Sequence, residues 1–410
     1  MNIIESEKTP SIDSPRSALD TILKEGARRL LEQAVEAEVC SYIESHRQEV
    51  DENGYRLVVR NGRHPERNIS TGVGSIPIQQ PRINDRRKGQ RFSSTILPKY
   101  LRRAPSVDAL IPALYLHGVS TGDFGEALEA ILGPQASGLS ATNIVRLKEG
   151  WEKEYEDWQR RDLSGKEYVY IWADGIYFNV RLTADRPCIL VIIGATADGD
   201  KELIAVHDGE RESKLSWTEI LEDLKRRGLS SPPKVAVGDG ALGFWAAIEE
   251  VWPTTIKQRC WVHKTANLLN CLPKSLHSEA KRLIHEMYMS PTRKAALKAY
   301  DQFIRVYGAK YPKAQANLEK DKQELFAFYD FPAEHWIHLR TTNPIESTFA
   351  TVRHRTKRTK GCGSRKATMS MVYKLANEAQ KSWRRLNKHQ LILEVIKGAK
   401  FTDGEIQKAA

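Results

Sequence analysis

The sequence predicts a mixed α/β protein, and three observations support this fold class. Four apolar or aromatic runs separated by Asp-Gly or Asp-rich turns are typical of a meander of β-strands. A helical pattern, the buried strand "KVAVGD" and the helix "ALGFWAAIEEVW" follow, and this alternation favours a sheet with packed helices. The apolar positions of residues 261–331 then have helical spacing throughout. The four strand-like runs are residues 168–173, 176–182, 188–196 and 203–206.

The chain before residue 161 predicts a mainly helical DNA-binding region. Residues 1–16 contain Pro and Ser and predict a flexible lead-in, whereas residues 17–105 combine amphipathic helix with a small basic β element. Residues 106–160 contain three helical patterns separated by short turns, which is typical of a helix-turn-helix unit. An ordinary three-helix packing unit gives the same pattern, so it is the basic flanks that favour DNA contact.

Three further segments follow. Residues 161–260 predict the first part of an α/β core, residues 261–335 a helical insertion, and residues 336–410 the completion of the core. In the last segment a helix can begin at Asn343-Pro344, because proline suits the first helical turn.

The charge of the chain favours nucleic acid as a partner. Lys and Arg outnumber Asp and Glu by 63 to 52, which gives a net charge of +11. The excess is clustered: residues 56–103 hold twelve basic side chains against Glu66 and Asp85. A general solubilising bias would leave the signs mixed, whereas a clustered basic stretch is typical of a DNA-binding surface.

The sequence also predicts the cellular setting. Five scattered cysteines argue against a disulfide framework and for a reducing compartment. No segment approaches the roughly 18 uninterrupted apolar residues of a membrane helix, and the N-terminus lacks the order of a signal peptide. We therefore expect a cytoplasmic protein without a membrane partner, associated with the nucleoid when it is on DNA.

One acidic residue stands out in the most basic part of the chain. Residues 340–366 contain eight Lys or Arg and a single acid, Glu346. A lone carboxylate on a surface that meets polyphosphate repels the ligand unless a cation stands between them. The pattern therefore predicts a bound cation and other carboxylates that share it.

Two aspartates are the best partners for Glu346. Asp174 and Asp239 each close an apolar strand and precede a glycine, and the ends of adjacent strands meet at one edge of a sheet. An Asp-Gly pair alone is more often a turn, but the other such pairs lie within predicted hairpins or near the chain end. Three converging carboxylates resist ionisation unless cations neutralise them. Two Mg²⁺ ions roughly 3.5–4 Å apart do so, and they activate an in-line displacement at phosphorus.

Three motifs carry a family resemblance. In the order "DGALGFWAAI", "QRCWVHKTANLLNCLPK" and "RTTNPIESTFATVRHRTKRTKG", the chain resembles the bacterial insertion-sequence transposases of the Mutator type, from about residue 19 to residue 401. The resemblance implies a ribonuclease-H-like catalytic core interrupted by an all-helical insertion. It also implies that Asp174, Asp239 and Glu346 are the catalytic, metal-binding acids of a DDE transposase.

The activity implied by the resemblance is DNA transposition. Such an enzyme binds the terminal inverted repeats of its element, hydrolyses a phosphodiester to free a 3′-hydroxyl, and uses that hydroxyl to attack target DNA. Both steps are displacements at phosphorus, so that one site with two Mg²⁺ ions, replaceable by Mn²⁺, serves both. Because two DNA ends must be brought together, we expect a homodimer or a larger complex on DNA.

A Cys-His segment lies just after the second aspartate. Cys260, His263, Cys271 and His277 are possible zinc ligands, although their spacing is not that of a common zinc finger. The resemblance favours another role, because transposases of this type carry Cys-x-x-His at this point. It implies that Cys260 and His263 are a structural or DNA-positioning pair, with no metal assumed.

Basic side chains near these motifs are candidate DNA contacts. Arg259 and Lys264 flank the Cys-His pair, and a solvated protein surface explains them equally well. The arginines after Glu346 are better candidates, because they have no acidic neighbours in the sequence. The candidates are Arg86, Arg87, Lys88, Arg91, Arg259, Lys264, Arg353, Arg355 and Arg358.

Two other functions fit the same residues. A metal-dependent nuclease of the same fold carries out no strand transfer, but it also has no need of an N-terminal DNA-reading region. A transposase-derived DNA-binding regulator that is catalytically silent has no need of the three acids. The sequence favours the transposase over both.

Overall fold

The computed structural model describes residues 15–107, 110, 114, 126–127, 141–177, 188–209, 211–358 and 364–407. The chain divides into two compact units, Met1–Leu147 and Lys148–Ala410. The first unit combines one long helix with two small antiparallel sheets, in which β1 pairs with β4 and β2 pairs with β3. Its elements are α1 (Pro15–Ser45), β1 (Val58–Arg63), β2 (Arg67–Thr71), β3 (Gly74–Ile78) and β4 (Pro81–Asp85).

The small core of the first unit joins the helix to the strands. Val35 of α1 is buried with Ile69 of β2 and Ile78 of β3. A helix and a small β element thus occur within residues 17–105, where the sequence predicts both, although Leu19, Ile22 and Leu30 of the predicted apolar helix face are exposed. Of the predicted helix-turn-helix unit, most of residues 108–140 lies outside the described residues, and its third predicted helix is α2 (Ala141–Gln159).

A five-stranded mixed sheet forms the centre of the second unit, which confirms the predicted mixed α/β class. The strand order is β7-β6-β5-β8-β9. Strands β5, β6 and β7 are antiparallel neighbours, whereas β5, β8 and β9 run parallel. The strands are β5 (Tyr168–Tyr177), β6 (Cys188–Thr196), β7 (Lys201–Gly209), β8 (Val235–Gly238) and β9 (Ile256–Arg259).

The prediction that Asp174 ends a strand is wrong. Asp174 pairs with Val191 and Gly175 pairs with Leu190 of β6, so the backbone stays extended through the Asp-Gly pair and β5 continues to Tyr177. The predicted run 168–173 and the first two residues of the predicted run 176–182 therefore belong to one continuous strand, β5. Strand β9 was missed because polar residues occupy most of it.

Helices cover both faces of this sheet. The second unit also ends in a short hairpin, β10 (Phe401–Thr402) and β11 (Glu405–Ile406). The helices are α3 (Lys214–Arg226), α4 (Leu242–Val251), α5 (Trp261–Leu269), α6 (His277–Met289), α7 (Arg293–Phe303), α8 (Pro312–Lys320), α9 (Lys322–Leu325), α10 (Trp336–Leu339), α11 (Asn343–Arg358), α12 (Arg365–Gln380) and α13 (Leu391–Ile396).

The two faces of β5 bury different partners, because successive side chains of a strand alternate. Ile171 and Ala173 pack into the core that includes Trp217 of α3 and Phe244 of α4. On the other face, the Trp172 Nε1 donates a hydrogen bond of 2.9 Å to the carbonyl oxygen of His338. Helix α11 packs against β5 and β6 and helix α12 against β7. Asp174 has the same parity as Trp172, so it lies on this second face.

No helix among the described residues is both long enough and apolar enough to cross a membrane.

Candidate active site

Two aspartates lie at the same edge of the central sheet. Trp172 of β5 is paired with Val237 of β8, and Asp174 and Asp239 each lie two residues further along these parallel neighbours. Gly240 has a φ of +85°, a conformation that glycine adopts without strain, and it turns the chain towards α4. The Asp239 Oδ1 accepts a hydrogen bond of 2.8 Å from the Ala241 backbone N–H. Asp174 and Asp239 therefore lie at the same edge of the sheet, although Asp174 does not end its strand and Asp239 directly follows β8.

Glu346 reaches the site from the first turn of helix α11. The Thr342 hydroxyl donates to the Glu346 Oε1 at 3.1 Å, and the Glu346 N–H donates to the Thr342 carbonyl oxygen at 3.1 Å. A carboxylate in the first turn is also stabilised by the positive end of the helix dipole. Local structure thus fixes Glu346 at the beginning of the helix, with its side chain half-buried.

The three acids interact electrostatically. Asp174 is only 6% exposed, and this burial raises its pKa to about 6. The positive charge of His263 opposes the shift, while the negative charges of Asp239 and Glu346 add to it. A buried carboxyl group among like charges is unfavourable unless a cation neutralises it, and carboxylate oxygens are the ligands that Mg²⁺ prefers. The donor set therefore fits a hard divalent cation.

Cys260 and His263 lie beside Glu346. The His263 Nδ1 is 3.8 Å from the Glu346 Oε1, and the Thr342 N–H donates to the Cys260 Sγ at 3.3 Å. Interaction with the Cys260 sulfur raises the pKa of His263 to about 9 against the effect of burial, and Asp174 contributes in the same direction. Burial acts to raise the pKa of the Cys260 thiol, but His263 and Thr342 hold it below its ordinary value.

The other two possible zinc ligands point elsewhere. The Cys271 Sγ donates to the Asn267 carbonyl oxygen at 3.3 Å, and the His277 Nε2 lies 3.1 Å from the Leu272 carbonyl oxygen. Both side chains are thus directed at the backbone of their own segment. The four residues do not assemble a zinc site of the kind that the sequence left open.

A fourth carboxylate, Glu212, was missed by sequence reasoning. Burial raises its pKa to about 7, and the charges of Asp239 and Asp174 add to the shift. A Cβ at Gly175 would lie 2.4 Å from the Glu212 Cδ, and a Cβ at Gly243 would lie 2.3 Å from the Glu212 carbonyl oxygen. Both glycines therefore make room for the segment that carries Glu212 between β7 and α3.

Two of the predicted DNA contacts are buried in an ion pair. Lys264 is 1% exposed and Arg259 is 4% exposed. The Asp321 Oδ2 accepts from the Lys264 Nζ at 2.8 Å and from the Arg259 Nε at 3.1 Å. Lys264 also donates to the Asn317 carbonyl oxygen. Both cations thus have partners inside the protein, which favours a structural role over the predicted contact with DNA.

The segment that follows β4 in the first unit, which holds Arg86, Arg87, Lys88 and Arg91, contains two kinds of basic side chain. The Arg87 guanidinium pairs with Asp85 at 2.8 Å and donates to the Tyr42 hydroxyl at 2.6 Å, so it holds the loop to its own unit. Arg86 is exposed, with its Nη1 3.7 Å from the Asp51 carboxylate. Lys88 and Arg91 are also exposed, as a surface that binds phosphate requires.

The three arginines after Glu346 lie on α11. Arg353, Arg355 and Arg358 belong to the C-terminal half of this helix, and their side chains lie outside the described part of the structure. The structure therefore places these three arginines on the same helix as Glu346, and their contact with DNA stays a prediction.

Comparison with known proteins supplies the context of this site. A family model described as transposase, Mutator family, matches residues 3–386. The chain is 52% identical over 297 residues to the transposase for insertion sequence element IS6120 of Mycolicibacterium smegmatis, covering 72% of this chain and 91% of that protein. It is 54% identical over 286 residues to the transposase for insertion sequence element IST2 of Acidithiobacillus ferrooxidans, covering 68% and 94%. It is also 30% identical over 359 residues to the transposase for insertion sequence element IS256 in transposon Tn4001 of Staphylococcus aureus, covering 86% and 88%.

Proposed function

This chain belongs to the Mutator family of transposases, and we propose that it processes the ends of a bacterial insertion sequence by metal-dependent DNA cleavage and strand transfer. The observation that carries this proposal is the buried carboxyl group of Asp174, whose pKa is raised by burial and by the charges of Asp239 and Glu346. An acid in this environment is best explained as a ligand that a cation keeps ionised.

Asp174, Asp239 and Glu346 are the residues that would hold the metal. Two Mg²⁺ ions, or Mn²⁺ in their place, would neutralise charge on the scissile phosphate and activate the attacking oxygen. The protein's own part is to fix the ligands on or beside rigid elements: one carboxylate on β5, one directly after the parallel neighbour β8, and the third on helix α11. Hydrolysis and strand transfer are both displacements at phosphorus, so one set of ligands serves both reactions.

The five-stranded sheet is proposed to be the ribonuclease-H-like core of the enzyme. In its order β7-β6-β5-β8-β9, three antiparallel strands are followed by two parallel ones, so that Asp174 on β5 lies beside Asp239, which directly follows β8. The helices of residues 261–335 are then an insertion, and α11 returns the chain to the sheet with Glu346.

The remaining roles concern the position of DNA. We propose that Cys260 and His263 support Glu346 and its helix, since both side chains lie against that carboxylate. The exposed Arg86, Lys88 and Arg91, together with arginines of the C-terminal half of α11, are proposed to bind backbone phosphates. A dimer or larger assembly on DNA follows from the need to hold two terminal inverted repeats together.

The proposed function is tested by Mg²⁺-dependent processing of labelled DNA that carries the element's own ends. The expected products are strands cut at the ends and then joined products, seen in Mg²⁺ or Mn²⁺ and lost when the metal is chelated. DNA with the same composition and permuted ends is the control for recognition. Cleavage without joined products, and without preference for the ends, would identify a nuclease. Binding without cleavage in either metal would identify a catalytically silent regulator.

The raised pKa values also predict how Mg²⁺ affects stability at different pH. The pKa of Asp174 rises from 3.8 to about 6 and that of Glu212 from 4.5 to about 7 on folding. The unfolded chain therefore loses these protons at lower pH than the folded chain. The free energy of unfolding contributed by the two acids falls as the pH rises from 3.8, the lower unfolded pKa, to about 7, the higher folded pKa. His263, with a pKa raised from 6.5 to about 9, stabilises the fold below 6.5 and loses this contribution as pH rises through 9.

Mg²⁺ is therefore expected to raise the melting temperature more near pH 8 than near pH 5. At the higher pH the bound ion relieves the repulsion between the ionised carboxylates, whereas at the lower pH it must displace protons from them. An ion at about 100 times its dissociation constant adds about 2.7 kcal/mol to the free energy of unfolding. Thermal denaturation with and without Mg²⁺ measures the effect, and Asp174→Asn is the control that should remove most of it. An equal Mg²⁺ effect at both pH values would contradict the prediction.

A further inference from the structure

Three different kinds of metal ligand converge at the edge of the proposed active site. The Cys260 sulfur, a ring nitrogen of His263 and a carboxylate oxygen of Glu346 all lie within 4.8 Å of one another. Cys260 immediately precedes helix α5 and His263 lies one turn into it, so both side chains are on the same side of the helix start. Glu346 approaches from the first turn of α11. Two helix N-termini thus bring the three ligands together.

The Cys260 sulfur is held as an acceptor. Cys260 is fully buried, and its side chain does not cap its own helix. Instead, the Thr342 N–H lies 3.3 Å and the Thr342 Oγ1 3.4 Å from the Cys260 Sγ. The same hydroxyl lies 3.1 Å from the Glu346 Oε1, so one threonine contacts two of the three ligands. Donors to a sulfur and to a carboxylate of this kind orient metal ligands in proteins and tune their affinity.

The ligand types decide which ion fits. Mg²⁺ prefers oxygen ligands and is poorly served by a thiolate, whereas Zn²⁺ and similar ions bind sulfur, imidazole and carboxylate together. His263 and Glu346 have side chains that are 34% and 28% exposed, so a fourth coordination position is open to solvent or to a phosphate oxygen. The ligand set Cys260, His263 and Glu346 shares only Glu346 with the proposed hard-cation ligands, whose other members are Asp174 and Asp239.

We propose that Cys260, His263 and Glu346 form a site for a thiophilic divalent ion of the Zn²⁺ class, and that this ion inhibits the enzyme by taking Glu346 from the Mg²⁺ site. The binding site is independent of the proposed function, while the inhibition rests on it. Because Glu346 belongs to both ligand sets, the two kinds of ion compete for one carboxylate.

The binding is tested with Co²⁺, which replaces Zn²⁺ and reports a sulfur ligand by its charge-transfer absorption. The metal-free full-length protein should give a sulfur-to-cobalt band that saturates at one ion per chain and is lost when Zn²⁺ is added. Cys260→Ser should lack the band, and His263→Gln should need at least about tenfold more Co²⁺ to reach it. Cys271→Ser is the matched control from the same segment and should titrate like the wild type.

Several outcomes would overturn the site. Absence of the band from the wild type, or a band of full intensity in Cys260→Ser, excludes Cys260 as the ligand. If Cys260→Ser does not fold, as judged by circular dichroism, His263→Gln decides, because it keeps the thiol. An unchanged Co²⁺ affinity in that variant then overturns the proposal.

The inhibition is tested separately from the binding. Zn²⁺ should stop Mg²⁺-dependent cleavage of end DNA, and more Zn²⁺ should be required as Mg²⁺ is raised. Asp174→Asn should keep the cobalt band while it loses cleavage, because Asp174 belongs only to the hard-cation set. Cleavage that persists in the Zn²⁺-saturated protein would overturn the inhibition. A wild type that shows the band but never cleaves would instead refute the proposed function and leave the metal site standing.

Discussion

Replacement of Glu346 by Gln is expected to reduce DNA strand cleavage by about a thousandfold or more while DNA binding is kept. The amide has the same shape and still accepts the hydrogen bond that the Thr342 hydroxyl donates to the Glu346 Oε1 at 3.1 Å. Helix α11 should therefore begin at the same residue. What the variant loses is one negative charge and, under the proposed function, one strong metal ligand, so only the steps that depend on the metal should fail. Cleavage of labelled end DNA in Mg²⁺ and gel-shift binding to the same DNA measure the two effects.

Glu378→Gln is the matched control for this prediction. Glu378 lies on α12, is exposed, and pairs with Lys381 at 2.6 Å on the surface. Surface ion pairs of this kind contribute at most about 1 kcal/mol, so this variant should cleave like the wild type. The assignment of Glu346 is refuted if Glu346→Gln cleaves within about tenfold of the wild type. It is refuted equally if the folded variant loses binding together with cleavage.

The sequence predicts that Asp174 and Asp239 lie near each other at one edge of the sheet, but it does not predict the local structure at Asp174. Apolar runs identified β5, which contains Asp174, and β8, which directly precedes Asp239, and these strands are parallel neighbours. The Asp-Gly pair at 174 was interpreted as a turn because the dipeptide is common in turns. Pairing with Leu190 of β6 keeps Gly175 extended, and that pairing is a tertiary contact which the dipeptide does not reveal.

Glu212 and the Cys260–His263 pair differ in how much signal the sequence carries. A Cys-x-x-His spacing at a helix start can be recognised in the sequence, and in the structure both residues lie beside Glu346. Glu212 has no local pattern, because its approach to the site depends on Gly175 and Gly243, which are distant in sequence. The sequence does contain one signal, since Gly175 follows Asp174 and Gly243 follows Asp239 within four residues. These glycines indicate a close approach of another segment, but only the structure shows that this segment carries Glu212.

Arg259 and Lys264, predicted to contact DNA, instead pair with an acid that is distant in the sequence. A basic residue with no acid nearby in the sequence is expected to be exposed to solvent. Here the acid is Asp321, which is 62 positions from Arg259 and 57 from Lys264. Only the packing of the helical segment against the end of β9 brings them together.

Replacement of Asp321 by Asn is accordingly expected to lower the free energy of unfolding by about 3 to 5 kcal/mol. Both cations that it pairs with are almost completely buried, and the amide leaves them without a compensating charge. Burial lowers the pKa of Lys264 and Asp321 opposes this, so the variant should also favour loss of the Lys264 proton. Chemical denaturation monitored by Trp fluorescence measures the change.

Asp330→Asn provides the comparison, because Asp330 pairs with Arg293 at 2.7 Å but both side chains are 40% or more exposed. Loss of that exposed pair should cost no more than about 1 kcal/mol. Lys264→Met added to Asp321→Asn should recover part of the lost stability, since it removes one unpaired buried charge. If Lys264 instead contacts DNA, Lys264→Met alone should weaken DNA binding and leave stability unchanged. The buried ion pair requires the opposite result, a less stable protein whose folded fraction binds DNA as the wild type does.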